Sequence, residues 1–110
     1  MPLTTKLPRA AEDFAALPQS DYNEGRALAA NTAERIAIPS GAEFVLFSCT
    51  DSFSALMGDG TVTAAMPVDT TNGSASLLNP SFRKIPSGAT HISVISTRAS
   101  QMVMEFFAGS

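Results

Sequence analysis

A five-residue stretch occurs twice in the sequence without a change. Residues 38–42 read Ile38-Pro39-Ser40-Gly41-Ala42, and residues 85–89 repeat the same five letters. Proline presets φ for a turn and glycine accepts a positive φ, so each copy predicts a tight turn between two strands. A solenoid needs roughly three or more repeats, and here there are only two. We therefore interpret the two copies as equivalent corners of one β-sandwich.

Outward from these corners, the sequence divides into short apolar runs separated by turn signals. The runs are rich in β-branched and aromatic residues, and no long helical period interrupts them. Strands are predicted at 35–38, 43–50, 53–57, 61–66, 82–85, 90–96 and 101–107, with a hairpin around Gly58-Asp59-Gly60. This pattern favours an all-β fold, either an antiparallel β-sandwich or a jelly-roll-like small barrel.

Two of the predicted strands are apolar on both faces. In the strand at 43–50, Phe44 and Leu46 point to one side, while Val45 and Phe47 point to the other. A sheet with one face in water alternates apolar with polar residues, so the second face here is expected to be covered. The candidates for the cover are the rim of the other sheet, an N-terminal arm or another subunit. The strand at 101–107 repeats the pattern, with Met102, Met104 and Phe106 opposite Val103 and Phe107.

The first 25 residues differ from the rest and predict an extended N-terminal arm, followed by a single β-domain at 26–110. Pro2, Pro8 and Pro18 interrupt regular structure in the arm. Residues 10–17 have room for about two helical turns, which are too short to be stable without a surface to dock on. We therefore expect Phe14 and Leu17 to dock on a surface of this domain or of a neighbouring subunit. The candidate interface residues are Leu7, Phe14, Leu17 and Tyr22.

The composition favours a protein that hides much of its surface. The 110 residues suffice for one domain, and 45% of them are hydrophobic while only 15% are charged. A typical domain carries roughly 25% charged residues. An oligomer or a bound subunit is therefore expected in preference to an isolated monomer.

The net charge and the N-terminal sequence argue against two classes of protein, nucleic-acid-binding proteins and membrane-targeted proteins. The formal net charge is −3 with only seven Lys and Arg, so the basic stripe that nucleic-acid binding requires is missing. The N-terminus lacks a basic segment followed by an apolar stretch, and no window approaches the ~18 apolar residues of a membrane helix. We expect no nucleic-acid partner and no membrane targeting.

Catalytic and metal chemistry find little support in the residue types. One histidine, His91, and one cysteine, Cys49, cannot assemble a transition-metal site, and Cys49 cannot form an internal disulfide. The nucleophile-elbow and phosphate-loop motifs are missing. Asp51 and Asp59 could suggest paired carboxylates, but there is no Trp and only one Tyr to stack on a sugar, and Asp59 lies between two turn glycines. We expect no enzyme, no cofactor, and no catalytic, cofactor-binding or metal residues.

A family resemblance rests on four stretches of the chain. These are residues 31–48 (NTAERIAIPSGAEFVLFS), Leu78-Asn79-Pro80, residues 85–93 (IPSGATHIS) and the terminal Phe106-Phe107. Together they resemble small structural proteins of tailed bacteriophages, over roughly residues 26–107. The shared features are strand-and-corner patterns and contain no catalytic chemistry.

The resemblance implies a virion protein, and its best-fitting role is a capsid decoration (cement) protein. Such proteins place a β-sandwich or jelly-roll knob on the head shell where capsomers meet. The implied partner is the major capsid protein or another virion protein, and a homo-oligomer is expected, with a trimer favoured. The implied location is the virion, after synthesis in the cytoplasm of a bacterial host. Two alternatives stay open, a head–tail or tail-fibre component and, from a different class, a carbohydrate-binding β-sandwich module.

Overall fold

The computed structural model describes residues 3, 19–66 and 71–109, and these residues form eight β-strands and no helix. The strands are β1 (Asn23–Leu28), β2 (Glu34–Ala37), β3 (Ala42–Cys49), β4 (Phe53–Gly58), β5 (Leu77–Leu78), β6 (Phe82–Lys84), β7 (His91–Ser96) and β8 (Ser100–Ala108). The predicted all-β class is confirmed. Six of the seven predicted strands are present to within one residue at either end.

The strands form two antiparallel sheets that face each other. Sheet I has the order β1-β8-β3-β6, and sheet II has the order β2-β7-β4-β5. The first strand pairs with the last, the second with the seventh, the third with the sixth and the fourth with the fifth. This is the connectivity of an eight-stranded jelly roll, in which one long antiparallel ribbon is wrapped into two sheets.

The ribbon keeps one register through three of its four strand pairs. In β1·β8, β2·β7 and β3·β6, the numbers of any two paired residues add up to 128, as for Ile36 with Ile92 and Val45 with Arg83. Side chains directly opposite each other lie on the same face. A single register therefore decides which residues of all six strands face the core.

The two identical pentapeptides form the corners where the ribbon passes between the sheets. Residues 39–42 lead from β2 in sheet II to β3 in sheet I, and residues 86–89 lead back from β6 to β7. In each turn the alanine N–H donates to the proline carbonyl oxygen, at 3.2 and 3.1 Å. Gly41 and Gly88 both have a φ of 87°, the positive value that a type II turn requires at this position. The prediction of equivalent corners is confirmed.

The corners also bond to each other in a reciprocal way. The N–H of Ile38 donates to the carbonyl oxygen of Thr90 at 2.9 Å, and the N–H of Ile85 donates to that of Glu43 at 2.8 Å. Each isoleucine precedes one turn, and each acceptor lies two residues beyond the glycine of the other turn. The ribbon register therefore continues through the corners, which fixes how the two sheets face each other.

Both sheets contribute side chains to one apolar core. On β3 and β8 the core face carries Val45, Phe47, Met102, Met104 and Phe106, all buried. Sheet II adds Ile36, Phe53, Ala55, Ile92 and Val94. Side chains alternate between the two faces of a strand, so the remaining residues of β3 and β8 point away from this core.

The predicted strand at 61–66 and its hairpin are wrong. Residues 62–66 have no regular secondary structure, and a turn closed by Val62 N–H to the Asp59 carbonyl oxygen at 3.2 Å precedes them. The physical reason is that β4 already pairs with β7 on one edge and β5 on the other, so no edge is left. The segment crosses the outer face of sheet II instead. There Arg35 donates to the Val62 carbonyl oxygen at 2.8 Å, and Ala64 N–H donates to Ser93 Oγ at 2.8 Å.

The beginning of the domain lies in an edge strand. β1 starts at Asn23, so the predicted boundary between residues 25 and 26 falls inside it. Glu24 and Arg26 point to the core side of this edge strand and form an ion pair at 2.7 Å. Inward-pointing charges on an edge strand discourage pairing with another chain.

Candidate functional site

The side of sheet I that faces away from the core is the candidate site, and we call it the sheet I face. Strand alternation and register place twelve residues on it: Asn23, Gly25, Ala27, Phe44, Leu46, Ser48, Phe82, Lys84, Gln101, Val103, Glu105 and Phe107. Only Glu105 and Lys84 among them carry charge. Depletion of charge is a property of the centres of protein–protein interfaces. This face is therefore suited to be covered by another protein surface.

Three phenylalanines form a row across one end of the sheet I face. The rings of Phe44 and Phe82 stack with centroids 5.9 Å apart, and Phe82 meets Phe107 edge-on at 6.1 Å. Phe107 is fully buried, although it lies on the side of β8 opposite to the core. Phe44 and Phe82 stay half-buried. The row makes this end of the sheet rigid and apolar.

The middle of the sheet I face is open around Val103. This side chain is 42% exposed and lies between Gly25 of β1 and Ser48 of β3. Gly25 has no side chain, and the space where a Cβ would stand is empty. A shallow depression of about 260 Å³ adjoins Val103 and is bordered by Cys49 and Gln101. An apolar side chain from a partner would find room here beside Val103.

Of the four predicted interface residues, the structure describes only Tyr22. Its ring packs edge-on against Phe106 at 5.9 Å, and its carbonyl oxygen accepts a hydrogen bond from Phe106 N–H at 3.1 Å. Tyr22 is therefore held by its own domain. Leu7, Phe14 and Leu17 lie outside the described residues, and their assignment stays a prediction.

Two further residues of the first 25 contact the domain. Leu3 packs against the core cluster of its own chain. Ser20 N–H donates to the Glu105 carboxylate at 3.1 Å, and its hydroxyl donates to the Phe106 carbonyl oxygen. This bond from Ser20 N–H partly compensates the negative charge of Glu105, which is one of the two charged residues on the sheet I face. The chain is thus attached to the domain at Leu3 and again from Ser20 onward.

The titratable residues are dispersed within the described part of the chain. No three His, Cys, Asp or Glu side chains come together there in a way that could hold a metal ion. His91 is half-buried, with Nδ1 2.9 Å from the Thr90 hydroxyl. Asp51 lies 4.0 Å from the exposed Arg98. His91 and Asp51 thus contact different neighbours, the Thr90 hydroxyl and the Arg98 guanidinium.

Asp59 is a turn residue, as predicted. Its carboxylate accepts hydrogen bonds from the hydroxyl of Thr61 at 2.6 Å and from the N–H of Thr61 at 2.8 Å. These bonds, the side-chain bond first, lower the pKa of Asp59 below its ordinary value of 3.8. A carboxylate that accepts hydrogen bonds is favoured in its ionised form.

A pH titration followed by NMR should show this effect. The pKa of Asp59 is lowered on folding, so its contribution to stability is present above pH 3.8 and disappears as the pH falls through the folded value. We expect a carboxyl midpoint below 3.8 in the unaltered chain. Thr61→Val should move the midpoint up toward 3.8, because the hydroxyl donor is lost. A midpoint at or above 3.8 in the unaltered chain would contradict the bonding seen here.

Comparison with known proteins identifies no relative. No family model matches the chain, and neither the curated proteins nor the solved structures contain a significant match.

None of the described residues belongs to a helix long and apolar enough to cross a membrane.

Proposed function

We propose that this chain is a structural subunit of a tailed-bacteriophage particle that decorates and stabilises the head shell. The observation that supports the proposal most is the nearly uncharged sheet I face, with Val103 exposed at its centre. The jelly-roll architecture and the family resemblance of the strand-and-corner stretches are consistent with it. The mechanism is the burial of surface between subunits, and no bond is made or broken.

The binding free energy in such a role depends on the apolar area that each contact buries and on the number of contacts that one oligomer makes. Apolar surface contributes roughly 25 cal/mol per Å² when it is removed from water. One four-stranded face is small, so a single knob gains limited affinity from it. An oligomer that engages several shell subunits at once gains much more, because the later contacts are intramolecular. The proposed partners are therefore the major capsid protein or another virion protein, contacted by a homo-oligomer of this chain.

The alternatives make different demands on the surface. A head–tail or tail-fibre component would use the same kind of face on a different partner. A carbohydrate-binding module needs aromatic rings that a sugar can stack on. Among the described residues, the large hydrophobic side chains that are exposed are Leu77, Leu78 and Val103, and none is aromatic. The decoration role is therefore preferred over sugar binding.

Co-sedimentation with phage heads tests the proposal. The purified chain is mixed with heads that lack it, and bound protein is measured in the pelleted particles. We expect saturable binding in a fixed ratio to capsid subunits. Val103→Lys should weaken binding by roughly tenfold or more, because an unpaired ammonium would be buried. Ala37→Lys is the matched control, since Ala37 is exposed on a strand of sheet II away from the sheet I face.

Each contrary outcome has a distinct meaning. Binding to a glycan array without binding to heads would replace the decoration role by sugar recognition. Binding to purified tails alone would move the site of action to the tail. If Val103→Lys and Ala37→Lys bind heads equally well, the sheet I face is not the contact surface.

A further inference from the structure

A groove lies on the opposite side of the domain from β1, between the edge strands β5 of sheet II and β6 of sheet I. Leu56, Met57, Leu77 and Pro86 form its apolar lining, and the cationic residues Arg83 and Lys84 of β6 border it. Its volume is about 230 Å³. That is below the roughly 300–1,000 Å³ of small-molecule sites. The β5–β6 groove therefore suits one or two apolar side chains of a protein segment.

The two cations that border the groove have no carboxylate partner within the described part of the chain. Neither Arg83 nor Lys84 forms an ion pair with any of the described residues. The opposite edge strand of the same sheet differs, because Arg26 of β1 is paired with Glu24 at 2.7 Å. An apolar groove bordered by two cations that no described carboxylate pairs with is complementary to a segment that carries acidic residues next to large apolar ones.

We propose that the β5–β6 groove binds residues 12–17 of a second copy of this chain. These residues read Glu12-Asp13-Phe14-Ala15-Ala16-Leu17 and combine two adjacent carboxylates with Phe14 and Leu17. Glu12 and Asp13 face Arg83 and Lys84, and Phe14 enters the apolar groove. The contact joins two different surfaces of the same chain, so repeated contacts form a ring if the rotation between copies closes and an open filament if it does not.

Chain length favours a second copy over the chain's own groove. Ser20 lies in the line of β1, beside Phe106 of β8, and a chain leaving it must cross three strand spacings to β6, about 14 Å, and then turn around the β6 edge. The six residues back to Phe14 span at most about 21 Å. Phe14 would reach its own groove only if the chain were fully extended. The groove of a neighbouring copy imposes no such limit.

A charge exchange between two full-length variants tests the contact. The groove variant carries Arg83→Glu with Lys84→Glu, and the arm variant carries Glu12→Lys with Asp13→Lys. Association is followed by sedimentation velocity over a range of concentrations. We expect the unaltered chain to self-associate, and each variant alone to associate at least about tenfold more weakly, because like charges then face each other. Arg98→Glu is the control, since Arg98 is exposed and distant in sequence from the groove strands.

Mixing the two variants should restore association. The groove variant keeps its acidic arm, which can bind the unaltered basic groove of the arm variant. The arm variant has a basic arm, which can bind the acidic groove of the groove variant. Three outcomes would each overturn the proposal: an unaltered chain that stays monomeric, association that ignores the reversals, and a mixture that stays monomeric. If association returns in a single chain that carries all four changes but not in the mixture of the two variants, the arm binds its own groove and the proposal is wrong. This test needs no phage heads, so it is independent of the decoration proposal.

Discussion

Replacing Phe106 by alanine should lower the free energy of unfolding by about 3–5 kcal/mol. Phe106 is fully buried on the core face of β8 and is paired with the equally buried Val45 of β3. Its ring also supports Tyr22, which packs edge-on against it. Removing the ring leaves a cavity between the two sheets that rigid strands cannot close. Domains of this size are stable by only about 5–15 kcal/mol, so the loss is a large fraction of the total.

Urea denaturation monitored by circular dichroism measures this loss. Val103→Ala is the matched control, because Val103 lies on the same strand but faces outward and is 42% exposed. It should change the free energy of unfolding by no more than about 0.5 kcal/mol. A loss below about 1 kcal/mol for Phe106→Ala would mean that the two sheets do not pack through this ring.

The corner glycines should give the second large effect. Gly41→Val and Gly88→Val should each destabilise the fold by about 1–3 kcal/mol. Both glycines have a φ of 87°, and a β-branched residue with such a φ is strongly disfavoured. Apart from the glycine and its two chain neighbours, no residue places a heavy atom within 4 Å of the position that a Cβ would take at Gly41 or Gly88. The expected loss therefore comes from the backbone conformation and not from a collision.

The serines of the same turns provide the control. Ser40 and Ser87 are exposed, and Ser40→Ala and Ser87→Ala should leave the thermal unfolding midpoint nearly unchanged. A loss of head binding from either serine change, with stability intact, would show that the corners are contact sites. Valine variants as stable as the unaltered chain would contradict the type II geometry.

The parts of the fold that the sequence predicts well are those with strong local signals. The strands β3, β7 and β8 are rich in aromatic and β-branched residues, β4 is a short apolar run, and the repeated pentapeptide marks both corners through proline and glycine. Because the two turns have the same sequence and bond to each other in the folded chain, the repeat also indicates which distant segments pair. This is why a sandwich or jelly roll could be predicted without any known relative.

The missed strands lack such signals. In β1, Glu24 and Arg26 occupy positions on the core side, so the strand does not show the apolar alternation of a sheet. β5 contains only Leu77 and Leu78, too few residues for a pattern. The segment 61–66 was wrongly predicted as a strand for the opposite reason. Its composition suits a strand, but both edges of β4 are already paired with other strands. Edge availability is a property of the whole fold and cannot be read from local composition.

The candidate site was partly visible in the sequence. The apolar residues on both faces of the predicted strands at 43–50 and 101–107 indicated a second covered surface. Phe107 does become buried on that surface, against Phe82. The exposure of Val103 depends on its neighbours Gly25 and Ser48 across the sheet, and this pairing becomes known only from the register. The half-buried ring of Tyr22 packs on its own domain, and its assignment to an interface stays a prediction.

The assembly proposal is tested most directly by a cryo-electron microscopy map of phage heads to which this chain has been added, at a resolution that separates strands. The jelly roll is fitted into the density, and the orientation of its two sheets is determined. We expect the knob on the outer surface of the shell, with the sheet I face and Val103 turned toward the capsid subunits. A head without density for this chain, or a fitted knob whose sheet I face points to solvent, would contradict the proposal.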